Sequence, residues 1–303
     1  MQTVLIAGGS GLVGSRLSAI LRGSSYNVIW LSRKGNPDAD YPTYAWDIVK
    51  GYIDEKAIQQ ADFIINLAGT GIADKRWSTA RKKDIIDSRV QSTMLLKQYL
   101  MKNPNKVKAY ISASAIGYYG DRGNEMMTET SKEGSGFLAE STMAWENAVA
   151  EIAATNIRTV TLRIGIVMSS LGGALQKILL SFMFRTGVYF GNGAQWYSWI
   201  HIDDMCHVFK WAVENEKAQG IYNGVSPNPL TNYDLTKGIA EAKGGGYLTL
   251  PTPAFALRLV MGEMADVVLN SAKVSSQKIE NQEFKFAFPD FVPAIQDILK
   301  RKI

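Results

Sequence analysis

Thr3-Val4-Leu5-Ile6-Ala7-Gly8-Gly9-Ser10-Gly11-Leu12-Val13-Gly14, continuing into Ser15-Arg16-Leu17-Ser18-Ala19-Ile20-Leu21, is the stretch that decides the fold. Thr3 to Ala7 is a short β-branched and aliphatic run, the pattern of a strand buried on both faces of a parallel sheet. From Ser15 onward the apolar residues recur at helical spacing. Between the two stand three spaced glycines. Gly8 permits a tight turn, Gly11 lets the backbone approach a pyrophosphate, and Gly14 lets the helix pack against the strand. A glycine-rich turn that holds no ligand is the plainer reading of the same residues. The order strand, glycine turn, helix favours a nucleotide site.

The next strand bears on which dinucleotide binds. Asn27 to Leu31 is expected as strand two, and an NAD enzyme carries Asp or Glu at its carboxyl end for the ribose hydroxyls. Here the residues are Ser32-Arg33-Lys34. An acid would repel a 2′-phosphate, whereas a guanidinium pairs with one through charge-assisted bonds. The expected cofactor is therefore NADP(H). The competing reading makes Arg33 and Lys34 solvated loop charges.

Strands and helices continue to alternate. Tyr44 to Asp47 and Phe63 to Gly69 read as the third and fourth strands, with a helical stretch around Asp54 to Ala61 between them. Ser78 to Lys102 reads as a long helix, Val107 to Ser112 as strand five, Gly136 to Ala154 as a helix and Arg158 to Ile164 as strand six. Such repeats imply right-handed crossovers and a doubly wound parallel sheet with ligands at the carboxyl ends of its strands. The predicted fold is thus α/β, an NAD(P)-binding Rossmann sheet with a smaller C-terminal α/β substrate-binding region. Residues 1–168 are expected to form the NADP-binding domain, completed by parts of 200–225, and 169–303 the substrate-covering region. Within the latter, Ala174 to Phe184 reads as an apolar helix, and Thr231-Asn232 caps a helix running to Ala242.

Composition narrows the classes. The 303 residues are 46% hydrophobic and 20% charged, so the chain is globular rather than disordered. No apolar run reaches the roughly 18 residues that span a bilayer, and no membrane partner is expected. One cysteine, Cys206, and two histidines supply neither a disulfide nor the usual zinc site. A reducing compartment, the cytoplasm, fits this usage. The basic excess of 33 Lys and Arg over 28 Asp and Glu gathers at Lys75, Arg76, Arg81, Lys82, Lys83 and Arg89. Asp74, Asp84 and Asp87 interrupt it, so a positive cleft for NADP and an acidic substrate is expected rather than a nucleic-acid surface.

At this point a family resemblance emerges. Gly8-x-Ser10-Gly11-x-x-Gly14, Asn66-Leu67-Ala68-Gly69, Tyr119-Gly120 and Trp199-Ile200-His201-Ile202-Asp203-Asp204 resemble the extended short-chain dehydrogenase/reductases. Lys75-Arg76-Trp77, Asp87-Ser88-Arg89, the Ser112 to Gly120 run, Trp145-Glu146 and Tyr222 to Pro227 are similar to an atypical, epimerase-like subgroup of largely unknown activity. Its C-terminal segment of unassigned function is matched by Leu250-Pro251-x-Pro253, Gly262-Glu263, Val274 to Ile279 and Phe284-x-Phe286. The resemblance spans the whole chain. It implies that Gly8, Ser10, Gly11, Leu12 and Val13 hold the pyrophosphate, Ser32 and Arg33 the 2′-phosphate, and Leu67 and Ala68 the ribose side, with Gly69 also at the cofactor. It also implies that Asp84 and Arg89 face the cofactor and that Val167 meets its nicotinamide end.

The catalytic positions depart from the wider family, whose members use Tyr-x-x-x-Lys on the helix after strand five. There the lysine lowers the tyrosine pKa and the tyrosine moves the proton. With Glu146 as a landmark, the matching residues here are Leu138 and Thr142, and the companion Ser/Thr position is Ala115. Ser114, Tyr118 and Tyr119 are the candidates left to do proton chemistry. The two tyrosines serve equally well as cavity-wall aromatics. Trp77, Tyr118, Tyr189 and Trp196 are candidates for a substrate pocket or for core. His201 reads as a structural histidine ahead of a helix capped by Asp203 or Asp204, and Cys206 as a small buried hydrophobe.

Two functions stay open. One is an NADP(H)-dependent oxidoreductase or nucleotide-sugar-epimerase-like enzyme acting on a small carbonyl or hydroxyl compound. The other is a catalytically decayed NADP(H)-binding regulatory or redox-sensing protein. The partner expected is a small-molecule substrate, and the only oligomer entertained is a homodimer.

Overall fold

The computed structural model describes residues 1–36 and 38–301. Residue 37, and residues 302 and 303 at the end of the expected second region, lie outside the described residues. The opening run becomes β1 (Thr3–Ala7), buried at every position, and α1 (Leu12–Gly23) follows the glycine turn. β2 (Asn27–Ser32) and β3 (Thr43–Asp47) add in parallel on one side, and β4 (Tyr52–Ile53) closes that edge antiparallel. Two residues are too few for periodicity to mark, so β4 is absent from the sequence reading.

α2 (Glu55–Gln60) starts at Asp54, whose side chain accepts from the Lys56 N–H. β5 (Phe63–Asn66) pairs with the other side of β1. The expected strand to Gly69 stops at Asn66 because its own Oδ1 accepts the Ala68 N–H and turns the chain. α3 (Thr79–Lys102) is capped by Ser78, and β6 (Ala109–Ala115) runs three residues further than expected at its carboxyl end. β7 (Met126–Met127), α4 (Phe137–Ala153) and β8 (Arg158–Ile164) follow. Beyond the short strand β9 (Ile166–Met168), α5 (Ala174–Leu179) gives way to a 3-10 turn over Leu180–Phe184 instead of continuing as one helix. Next come β10 (Thr186–Phe190), β11 (Trp196–Tyr197), β12 (Trp199–His201), α6 (Ile202–Glu214) and β13 (Gly220–Gly224).

The central sheet has the order β13-β8-β6-β5-β1-β2-β3-β4 and is parallel except at β4. The chain thus winds outward from β1 in both directions, and the switch point lies between the carboxyl ends of β1 and β5. α1 packs with α6, and α3 with α4. One apolar core centres on β1, β5 and β6.

A second core forms around Trp199, Phe182, Leu235 and Phe291. It gathers β14 (Leu230–Thr231), α7 (Asn232–Ala242) and β15 (Leu248–Thr252), which pairs in parallel with β10. α8 (Ala254–Met261), α9 (Asp266–Leu269), β16 (Lys273–Val274), α10 (Gln277–Glu280) and α11 (Phe291–Lys300) complete the chain. The C-terminal segment is tied back to the sheet: β16 pairs with β7, and the Asp204 carboxylate accepts the Ala287 and Phe288 N–H groups.

Candidate functional site

The glycines meet at the switch point. Gly8 takes φ +85°, and a Cβ there would stand 3.0 Å from the Leu67 carbonyl carbon across the gap between β1 and β5. At Gly14 a Cβ would lie 2.3 Å from the Gly8 oxygen, so only glycine lets α1 approach the turn so closely. Ser10 and Gly11 are exposed at the tip, and Leu12 and Val13 are half-buried. Gly11 is the N-cap, no side chain caps the helix, and no acid stands in its first turn. The uncapped N–H groups and the helix dipole leave a cradle that suits a pyrophosphate. Leu67 and Ala68 face this turn, and Gly69 is exposed beside it.

Beside the turn runs a groove of about 810 Å³ lined by Arg33, Trp46, Asp47, Ile48, Asp84 and Ser88. Arg33 and Asp84, predicted from different arguments, share it. Ser32 is half-buried at the end of β2, and Asp84 pairs with Arg81 at 2.9 Å. Sequence reasoning passed over Trp46-Asp47-Ile48. Their position at the carboxyl end of a parallel strand was the available signal.

Arg89 sits behind the turn that follows β5. Its guanidinium donates to the Thr70 and Ile85 carbonyls, lies 3.1 Å from where a Cβ on Gly69 would be, and stacks on Trp145. Burial, with help from Arg81, pulls its pKa down to about 10. Val167 lies on β9, opposite Ile200. The loop leading into α5 rises over α1: a Cβ on Gly173 would be 3.2 Å from Leu12 and 3.9 Å from the Val167 oxygen.

The three candidate hydroxyls have different surroundings. Ser114, 3% exposed, donates to Glu146 at 2.6 Å. Glu146 receives Arg163 in a bidentate pair at 2.8 and 2.7 Å. Arg163, 1% exposed, also donates to the Tyr119 hydroxyl at 3.0 Å, which donates in turn to Asn223 at 2.7 Å. Burial opposes the Arg163 charge, but the Glu146 carboxylate overrides it and raises the guanidinium pKa above its usual value. Burial pushes the Tyr119 phenol up to about 12. Both hydroxyls are thus engaged inside one buried network. An arginine within the apolar strand Thr161-Leu162-Arg163-Ile164 was the sequence signal for it, because such a charge needs a buried carboxylate.

Tyr118 differs. It is half-buried on the 3-10 turn after β6, its ring rests on the Arg163 guanidinium at 3.4 Å, and its hydroxyl donates to Glu133 at 3.3 Å. Burial raises its pKa and Arg163 partly offsets the rise.

Leu138 and Thr142 do come to one face of α4, one turn apart, and that face packs on Gly117. A Cβ there would stand 3.4 Å from the Leu138 Cβ and 3.5 Å from Thr142 Oγ1, which itself donates to the Leu138 carbonyl. Ala115 ends β6, half-buried.

His201 is fully buried, but the expected cap is reversed. The His201 Nδ1 accepts the Asp203 N–H and so caps α6 itself. Asp203 instead accepts from Arg16 and Arg301, and Asp204 holds the C-terminal segment. Cys206 is buried, which pushes its thiol pKa up. Of the four pocket aromatics, Trp77 meets Phe137 edge-on, Tyr189 meets Tyr233, and Trp196 donates to Asn124. The basic cluster is largely paired: Arg81 with Asp84, Lys83 with Asp87 and Lys82 with Glu263.

Contacts also cross above the turn. Lys177 on α5 donates to the Ala73 carbonyl at 2.9 Å, and Arg76 packs over Gly262. The Lys177 bond thus joins α5, which starts above Leu12, to the segment that follows β5. Among the described residues no helix is long and apolar enough to cross a membrane, and no cluster of His, Cys, Asp and Glu is arranged to hold a metal.

Comparison with known proteins places this geometry. Residues 4–223 match the NAD dependent epimerase/dehydratase family, and residues 252–298 match a domain of unknown function, DUF1731. An epimerase family protein of Staphylococcus aureus is 34% identical over 302 residues, covering 99% of this chain and 100% of that one. The structure of human epimerase family protein SDR39U1 with NADPH superposes with a TM-score of 0.90 at 28% identity, covering 99% of this chain and 100% of that one. UDP-N-acetylglucosamine 4-epimerase from Bacillus cereus shares the fold, with a TM-score of 0.80 at 18% identity over 98% of each chain.

Proposed function

The chain belongs to the NAD dependent epimerase/dehydratase family, and we propose that it is an NADP(H)-dependent oxidoreductase, or an epimerase-like enzyme, with a reaction centre built on Tyr118. One observation carries the cofactor choice. Arg33 lines the groove beside the glycine turn where an NAD enzyme would place an acid. The NADPH bound to the human relative supports the same choice.

In this reading the N-terminus of α1, with Gly8, Ser10, Gly11, Leu12 and Val13, holds the pyrophosphate. Ser32 and Arg33 hold the 2′-phosphate, Leu67, Ala68 and Gly69 line the ribose side, Asp84 borders the groove, and Val167 borders the nicotinamide end. Arg89 positions the Gly69 turn from behind. When bound, the nicotinamide supplies or takes the hydride.

The proton falls to Tyr118, the one candidate hydroxyl outside the buried network. Its raised pKa keeps the phenol protonated, as reduction of a carbonyl requires of the donor, and the Arg163 charge offsets part of the rise. Glu133, within hydrogen-bond reach of the phenol, passes protons to and from solvent, and the Arg163 charge beneath the ring steadies the phenolate. Ser114, Tyr119, Glu146 and Asn223 fix Arg163 in place. The substrate is a small carbonyl or hydroxyl compound covered by the region built from residues 169 onward, and a single buried thiol suits the reducing cytoplasm.

The packing of Leu138 and Thr142 on Gly117 favours one other reading, an NADP(H)-binding regulatory or redox-sensing protein whose catalytic helix has become plain core. A panel of carbonyl compounds offered with 4-deuterated NADPH separates the two. Deuterium appearing at a substrate carbon with the native protein, and lost in Tyr118→Phe, supports the enzyme. NADPH binding without transfer to any panel member supports the sensor.

A further inference from the structure

The ribbon of β10 and β15 has one covered face and one bare one. Gly187 looks toward α7, since a Cβ there would lie 2.9 Å from Thr236 and 2.8 Å from Phe182. By strand alternation Thr186 and Val188, with their partners in register, Leu248 and Leu250, look the other way. Leu248 is 62% exposed and Leu250 41%.

The stripe extends past both ends of the ribbon. At one end Phe184 is 82% exposed, next to Arg185, whose carbonyl accepts the Leu248 N–H. At the other, α8 buries no residue, and Phe255 and Leu259, one turn apart, stand 75% and 77% exposed.

Charge identifies what they meet. No Asp or Glu occurs from residue 152 to 202 or from 242 to 262, the two stretches that contain the ribbon, Phe184 and α8. Their cations near the ribbon include Arg185 and Lys243, both exposed. Of the acids just beyond, Glu263 is paired with Lys82, and Glu241 stands on α7 at the edge. A twofold copy pairing through this face would bring like charges together, whereas an anionic bilayer supplies phosphates for the cations and acyl chains for the protruding apolar groups.

We propose that the bare face of the β10–β15 ribbon, with Phe184 and α8, is a peripheral docking surface for an anionic lipid membrane. The expectation of no membrane partner rested on the lack of a spanning segment, which a surface contact does not need. The contact does not depend on Tyr118 or on turnover.

Flotation of the full-length protein with vesicles of phosphatidylcholine, alone or mixed with phosphatidylglycerol, tests it. The protein should float with the mixed vesicles at least about tenfold more strongly than with the neutral ones, and less as salt rises from about 0.05 to 0.5 M. Phe184→Glu/Phe255→Glu should lose at least about tenfold of that binding while keeping NADPH affinity. Arg185→Gln/Lys243→Gln should weaken the preference for anionic lipid. The proposal is overturned by absence of binding to either vesicle, by undiminished binding of the Phe184→Glu/Phe255→Glu protein, or by sedimentation showing a dimer that this double variant dissolves.

Discussion

The Arg163 guanidinium lies 3.4 Å from the centroid of the Tyr118 ring, while its Nε and Nη2 donate to Glu146 and its Nη1 to the Tyr119 hydroxyl. An ion pair that is internal to the fold thus also presents its charge to the phenol proposed to move the proton. Tyr118→Phe should leave NADPH affinity unchanged and lower turnover by about 10²–10⁴-fold. Thr142→Ala should leave turnover nearly unchanged, since its hydroxyl is spent on the Leu138 carbonyl. Steady-state kinetics on a substrate found by the deuterium screen checks both.

Removing one partner of the buried pair has a different signature. Glu146→Ala strands the Arg163 charge in a site that is 1% exposed, and breaking such a pair costs about 3–5 kcal/mol. Urea denaturation should show a loss of unfolding free energy of that size, read as a lower midpoint. Ser114→Ala removes a single hydrogen bond to the same carboxylate and should cost about 1–2 kcal/mol.

His201 makes stability depend on pH. Burial, resisted by Asp203 and Asp297 and aided by Arg301, lowers its pKa to about 4 from the usual 6.5. The folded protein therefore binds fewer protons here than the unfolded chain between pH 6.5 and 4. This contribution is present above about pH 6.5 and is lost as pH falls toward 4, by up to about 3 kcal/mol. His201→Asn keeps a cap acceptor for the Asp203 N–H and should flatten the loss, as read by denaturant midpoints across that window.

The Lys177–Ala73 bond and the Lys82–Glu263 pair tie the C-terminal region to the segment after β5 and to α3 at partly exposed sites, where each such contact is worth about 0.2–1 kcal/mol. If this region closes over the bound cofactor, Lys177→Met/Glu263→Gln should speed NADPH dissociation by roughly two- to thirtyfold, measured by stopped-flow fluorescence.

Most of the central sheet was legible because β1, β2, β3, β5, β6 and β8 are compact apolar or β-branched runs, unlike the two-residue β4, and the order of strand, glycine turn and helix fixes the first crossover. The second core was not. β9, β11, β12, β14 and β16 are two or three residues long, below what periodicity can register, and they are held by distant partners such as the Ser198 hydroxyl, which accepts the Val274 N–H. At the site, the position of Arg33 on the groove was readable because it depends on strand position alone. The settings of Ser114 and Tyr119 were not, since they depend on Glu146, Arg163 and Asn223 converging from α4, β8 and β13.

The central claim is that the groove beside the glycine turn takes NADP(H) through Arg33. Titrating NADPH and NADH by fluorescence into the native protein and into Arg33→Asp tests it most directly. A charge-assisted contact is worth about 1.5–3 kcal/mol, so NADPH affinity should fall roughly ten- to hundredfold while NADH affinity holds or improves. Equal losses for the two cofactors, or a native protein that prefers NADH, would contradict the account.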